Sequence, residues 1–319
     1  MQAAIRSMLG AALLGLAASA LAQTYPAKPV RIIVPFPTGG TTDQVARIVQ
    51  ARFSENMGQQ VVIDNKGGAG GSIGAAEAAK AAPDGYTLLM VFDTHAVNHH
   101  MYKQAPDIFK TLEHISLMVS SPSMLTAGTA LPATSLKDIA ARAKADPGKL
   151  TYGSVGAGSS NHLGALLFEQ AAGVKMTHVP YKGGGPLVQA MLGNQVDLAF
   201  ISSPLILPHV KSGKVRGVAV GGRQRLAQAP DVPTVAETYP GFELVSWFGI
   251  LGPAGLPREV SAKVHREMLR TLADPVTRER LTTSGFDVVG STPDEFLKFV
   301  QGESDKLGRL IRDNGIRAD

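Results

Sequence analysis

The chain has 319 residues, 44% of them hydrophobic and 18% charged, with 35 glycines and no cysteine. That composition excludes a disordered tail, a disulfide-built miniprotein and any thiol or cysteine-metal chemistry, and the length suits one large or two ordinary globular domains. Lysine and arginine number 31 against 26 acidic residues, a net charge of +5, but they are interspersed, so no basic run is present to track a phosphate backbone and no nucleic-acid partner is expected.

In chain order, Arg6 precedes an apolar run over residues 8–18, and Ala20, Leu21 and Ala22 have the small-x-small form of a signal-peptidase site. The run is too short to span a bilayer, which takes about 20 residues. Residues 1–22 are therefore expected to be a leader cleaved after Ala22, and removing Arg6 leaves 30 basic and 26 acidic residues, a mature charge of +4. No cysteine follows the cleavage point, which argues against a lipid anchor there and suits an oxidising, exported compartment.

The β-branched run at 30–35, the helical spacing of Val45, Ile48, Val49 and Phe53 within 41–57, and the strand-like 61–64 predict a β-α-β unit. An alanine-rich helix at 72–82, a Pro83-Asp84-Gly85 turn and a strand at 87–92 follow. Between 115 and 126, Ser120-Ser121-Pro122 interrupts what reads as two apolar strands. The alternation then restarts with helix 136–145, strand 151–153, helix 160–171, and strands 196–201 and 215–220. Strand 244–251 and an amphipathic helix at 259–273 come next, with Val260, Val264, Met268 and Leu272 on one stripe. Thr292 with Glu295 forms a capping box for the last helix. Strands alternating with helices predict two α/β lobes, each a mostly parallel sheet with helices on both faces. The expected division is 23–120 for the first lobe, 121–246 for the second and 247–319 returning to the first.

The glycine excess, about 11% against roughly 7% in ordinary proteins, concentrates in turns that follow strands. Residues 35–43 run strand, Gly39-Gly40, helix, with Thr41 and Gln44 in capping-box spacing. Residues 153–162 repeat the arrangement with Gly156, Gly158 and hydroxyl caps. Two helix N-termini of this kind, one per lobe, present unpaired N–H groups and a partial positive charge, an anion site built without a full cation. A third turn, Gly183-Gly184-Gly185, carries Lys182, which either faces solvent or contacts the ligand. Asp43 either complements the first helix dipole or serves the ligand. Asp197, in an apolar strand, requires a partner, a strand end or a polar cleft.

Gly68-Ala69-Gly70-Gly71-Ser72-Ile73-Gly74 and Gly156-Ala157-Gly158 match the dinucleotide fingerprint only in part, and no phosphate-binding P-loop is present, so no cofactor is expected. Ser154, Ser159 and Ser160 beside His162 raise an exported serine hydrolase as a rival, weakened by the lack of a G-x-S-x-G elbow. His95, His99, His100 and His114 read as solvated loop histidines rather than a metal site, with adjacent His99 and His100 pointing apart.

The segments YPAKPVRIIVPFPTGGTTDQVAR, VVIDNKGGAGGSIGA, APDGYTLLM, LTYGSVGAGSSNHL, VPYKGGGPLVQAMLGNQVDLAF, DVPTVAET and WFGILGPAGLP resemble the Bug-type receptors of tripartite tricarboxylate transporters. The resemblance covers essentially the whole mature chain. It implies a periplasmic binding protein of type II topology, two lobes joined by two crossing strands, near 116–122 and 245–251, with the ligand between them. It places a ligand carboxylate against Phe36, Thr38, Gly39, Gly40 and Asp43 of the first loop, Ser154, Gly156, Ser159, Ser160, Asn161 and His162 of the second, and Thr94 of the segment 92–98. Thr38 and Thr41 stand where many relatives carry small or glycine residues, and Asp93 is unusual in its loop. The implied function is capture of a small organic carboxylate (a di- or tricarboxylate, an acidic amino acid or an aromatic acid), by a monomer that hands it to a membrane permease. A sensor subunit for a membrane receptor shares the same expected site.

Overall fold

The computed structural model describes residues 25–316. The expected leader, residues 1–22, lies outside the described residues. Ten strands and eleven helices are described, joined by short turns.

The first sheet starts with three parallel strands, β1 (Val30–Val34), β2 (Val61–Asn65) and β3 (Thr87–Phe92), in the order β2-β1-β3. The helix α1 (Thr41–Met57) connects β1 to β2 and α2 (Ser72–Ala79) precedes β3. Val45, Val49, Phe53 and Met57 of α1 pack with Val30, Ile32 and Val34 on one face of the sheet. Ile33 and Leu89 point to the other face, under Ala75 and Ala78 of α2. Burying Phe53 completely stabilises this face enough that truncation to alanine costs about 3–5 kcal/mol.

Short helices α3 (Asn98–Met101) and α4 (Ile108–Thr111) lead into β4 (Leu112–Ala127), a single 16-residue strand. This corrects the expectation of two strands broken at Pro122. From Leu112 to Pro122, β4 pairs antiparallel with β9 (Val245–Pro253), which in turn pairs with β3. From Ser123 onward it pairs with β7 (Leu198–Ser202) and β8 (Arg216–Val220) in a second sheet. Pro122, which has no N–H to donate, occupies the point where the strand changes partners, so its ring interrupts neither ladder.

The second sheet continues from β7 to β5 (Thr151–Ser154) and β6 (Thr177–Pro180), all three parallel. Helices α5 (Leu136–Ala145) and α6 (Ser160–Ala172) bury Ile139, Ala143 and Phe168 on one face of it. Helices α7 (Gly184–Leu192) and α8 (Ser203–Lys211) bury Leu187, Met191 and Ile206 on the other.

The chain returns through β9. Helix α9 (Arg258–Ala273) then packs Val264, Met268 and Leu272 beside α1, and α10 (Pro275–Thr283) and the short β10 (Asp287–Val288) follow. Helix α11 (Pro293–Asp313) starts at the expected Thr292–Glu295 capping box and covers the opposite face with Phe296, Val300 and Leu307.

Candidate functional site

The C-terminal ends of β1, β3, β5 and β7 converge on one cleft. In the first loop, Asp43 is the organising residue. Its carboxylate accepts the Gly39 N–H at 3.0 Å and Arg47 Nε–H at 2.9 Å on one oxygen, and Asn65 Nδ2 at 3.1 Å on the other. Asn65 also donates to the Phe36 carbonyl at 3.0 Å. Burial would raise the Asp43 pKa, but the hydrogen bonds from Arg47, Gly39 and Asn65, together with the Arg47 charge, hold it below the usual carboxylate range. Asp43 is thus ionised and occupied, bracing the turn from within. The N-cap of α1 is Gly40 rather than the expected Thr41, and no side chain caps the helix. A glycine cap has no side-chain oxygen to offer the first amides, and Gly40, Thr41 and Thr42 line the cleft.

The second loop is closed by its own hydroxyls. Ser154 Oγ donates to the Gly156 carbonyl at 3.0 Å, accepts the Gly156 N–H at 3.1 Å and lies 2.6 Å from His178 Nε2. Ser159 is the N-cap of α6: its Oγ accepts the His162 N–H at 3.3 Å and donates to the Gly156 carbonyl at 2.7 Å. His162 Nδ1 accepts the Gly158 N–H at 3.0 Å, so that nitrogen is unprotonated. The His162 and His178 rings stack at 3.9 Å, and burial pushes their pKa values down to about 3 and about 4, His162 further because of His178. Both are neutral. Gly158 has φ +72°, and a Cβ there would stand 2.8 Å from Met101 Cε, so this turn needs glycine both for its conformation and for its approach to the first lobe.

Asn161 reaches the cleft itself. Its Nδ2 donates to the Phe200 carbonyl at 2.6 Å, while its Oδ1 and the neighbouring Ser160 Oγ are buried without a hydrogen-bond partner among the described residues. The cleft is completed by Phe36 and Phe92, whose rings meet edge-to-face at 5.7 Å, and by Val155. Gly184, Leu187, Ile201, Ser202 and Leu205 form the remaining wall. Across the mouth, a Cβ on Gly183 would stand 3.2 Å from Pro37 Cδ and one on Gly184 3.8 Å from Gly40 Cα, so the first and third glycine turns face each other closely.

Of the residues singled out by sequence, Phe36, Gly40 and Asn161 line the cleft. Asp43, Ser154, Gly156, Ser159 and His162 build the two turns that frame it. Thr38, Gly39 and Lys182 are exposed. Thr94 is buried beside the first lobe's second glycine segment, donating to the Gly70 carbonyl at 3.2 Å. Asp197 lies outside β7, accepting the Thr151 N–H and hydroxyl at 2.8 Å each. Five residues separate it from cleft-lining Ser202, which is roughly 16 Å along a strand. Sequence reasoning missed Ser202 and Leu205. The available signal was topological, since β7 runs parallel to β5 and must end at the same edge of the sheet.

Two further expectations are corrected. His95 and His114 are buried rather than solvated, and the His99 and His100 rings approach to 3.9 Å, tilted by 42°, instead of pointing apart, with His99 edge-on to Phe109. No group of three metal-ligating side chains occurs among the described residues. The serine nearest an imidazole is Ser154 with His178, not Ser159 with His162. Ser154 is fully buried and its hydroxyl is consumed inside its own turn, so it cannot attack a substrate.

Known proteins share this fold and sequence. A family model described as tripartite tricarboxylate transporter family receptor matches residues 45–316. The chain is 34% identical to Protein BugT of Bordetella pertussis over 307 residues, 95% of this chain and 94% of that protein. The solved periplasmic binding protein BugD superposes with a TM-score of 0.87 at 33% identity, covering 92% of this chain and all of that one. The R. palustris protein Rpa4515, solved with adipate, gives 0.88 at 32% identity over 92% of this chain and 99% of that one. The chain therefore belongs to the tripartite tricarboxylate transporter receptor family, as a solute-binding receptor of the Bug type and not an enzyme.

Proposed function

We propose that this receptor works in the periplasm, as a monomer, capturing a small organic carboxylate between its two lobes and presenting the closed form to a membrane permease. The observation that carries the reading is that α1 and α6, which pack on different sheets, bring their first turns, Gly40–Thr42 and Asn161, to one cleft. Unpaired amides at helix N-termini stabilise an anion without a cation, and contacts from both lobes make the ligand select the closed state. The lobes are assigned as 23–120 with 247–319, and 121–246, a division supported by the change of partner of β4 after Pro122. Removal of residues 1–22 after Ala22 would deliver the mature chain to the periplasm, where relatives such as BugD are named as binding proteins.

The test is a thermal-shift screen of the mature protein, unfolded and refolded to remove any co-purified ligand. The panel covers mono-, di- and tricarboxylates, acidic amino acids and aromatic acids. A true ligand at a hundred times its Kd adds about 2.7 kcal/mol, a Tm rise of about 5 °C. No stabilisation by any carboxylate overturns the reading.

A further inference from the structure

Resting on that reading of the cleft, we infer that the ligand is a single-headed acid: one carboxylate attached to a short apolar body. The polar groups that line the cleft are few: the Gly40 backbone, Thr41, Thr42, Asn161 and Ser202. The rest of the wall is hydrocarbon: Phe36, Phe92, Val155, Leu187, Ile201 and Leu205. These side chains come from both lobes, so a ligand body lying among them is enclosed on closure rather than left at the rim.

No charged side chain lines the cleft, and Asp93, which follows Phe92, is buried. Asp43 is tied to Arg47 at 2.9 Å, and Lys182 beside the third glycine turn is exposed to solvent. A second carboxylate on the ligand would therefore be pressed against aliphatic and aromatic carbon, where an ionised group loses its water and gains no partner. A methylene or ring carbon in the same place gains about fourfold in affinity per CH₂ buried. The two effects run in opposite directions along one molecule, which is what sorts single-headed acids from diacids of the same length. The adipate seen with Rpa4515 is a diacid, so this inference separates the present chain from that relative in ligand class while keeping the carboxylate end common.

Matched pairs test it. Hexanoate and adipate share six carbons and differ by a methyl against a carboxylate; 4-methylbenzoate and terephthalate, with eight carbons each, do the same on a ring. Calorimetric titration at pH 7 is expected to show the monoacid binding at least tenfold more tightly within each pair, and affinity rising from acetate through butanoate to hexanoate. A diacid that equals or exceeds its monoacid in either pair overturns the inference. A second measurement uses Leu205→Ala, on the half-buried wall of the cleft, which should weaken hexanoate about fourfold to tenfold and leave acetate unchanged. Unaltered hexanoate binding in that variant also overturns it. If no acid of either kind binds, the carboxylate reading of the cleft fails and takes this inference with it; if acids bind but diacids win, only the ligand class is wrong.

Discussion

Replacing Asp93 with asparagine should stabilise the protein, and by an amount that grows with pH. Asp93 opens the turn after β3, is 2% exposed, and neither carboxylate oxygen completes a hydrogen bond among the described residues. Burial pushes its pKa up to about 8; the Ser160 and Ser246 hydroxyls and the Thr94 N–H offset this only in part, and Glu303 adds to it. An aspartate in the unfolded chain titrates near 3.9. Between about pH 4 and pH 8 the folded state therefore holds a proton that the unfolded state has released, and folding stability falls as pH rises through that window. At pH 7 the penalty is as much as about 4 kcal/mol. Asparagine keeps the shape and removes the ionisation. Relaxation around the wild-type carboxyl lowers the difference, so the expected gain at pH 7 is about 1–4 kcal/mol, a Tm increase of roughly 2–8 °C. Thermal unfolding of both proteins at pH 5, 7 and 8.5 isolates the effect, because every other titrating group is common to the pair and cancels. A gap that does not widen with pH, or an Asp93→Asn protein less stable at all three, would refute the reasoning.

The buried imidazoles act in the opposite sense. His95, His114 and His178 are pushed down to about 4 and His162 to about 3 by burial, so their contribution is complete above about pH 6.5 and is lost as pH falls towards 4. His114, stacked on Phe109 and edge-on to Phe296 with Nε2 unpartnered, contributes up to about 3 kcal/mol of that loss. His114→Phe should flatten the Tm profile between pH 6.5 and 4, and an unchanged acid limb would count against this assignment. Asp43→Asn should loosen the first loop, costing about 1–2 kcal/mol because Arg47 is half exposed, and weaken carboxylate binding about tenfold. Unaltered affinity would show that the turn does not depend on it. Trp247 is fully buried on β9 against Phe296 and Phe299, where the chain crosses between sheets, and its emission should report closure. A ligand verified by calorimetry that moves neither this signal nor the scattering radius would contradict a closing clamp.

Local pattern alone was enough to place most of the elements. The 3.6-residue spacing in α1 and α9, the β-branched runs of β1 and β3 and the Thr292–Glu295 box are all short-range properties, decided by neighbours within one or two turns. The same holds for the glycine turns at 39–40, 156–158 and 183–185. Each precedes a helix at the C-terminal end of a strand or its continuation, and the amino-acid sequence by itself pointed to an anion cleft there. What it did not contain was which end of which sheet each residue would reach. Asp197 and Ser202 lie five residues apart, yet one is bound to Thr151 at the far edge and the other lines the cleft. Pro122 looked like a break and is the handover point of an unbroken strand. His178, on β6, is carried to Ser154 by the β5–β6 pairing. In each case the deciding contact joins residues far apart in the chain, and only the register of paired strands brings them together.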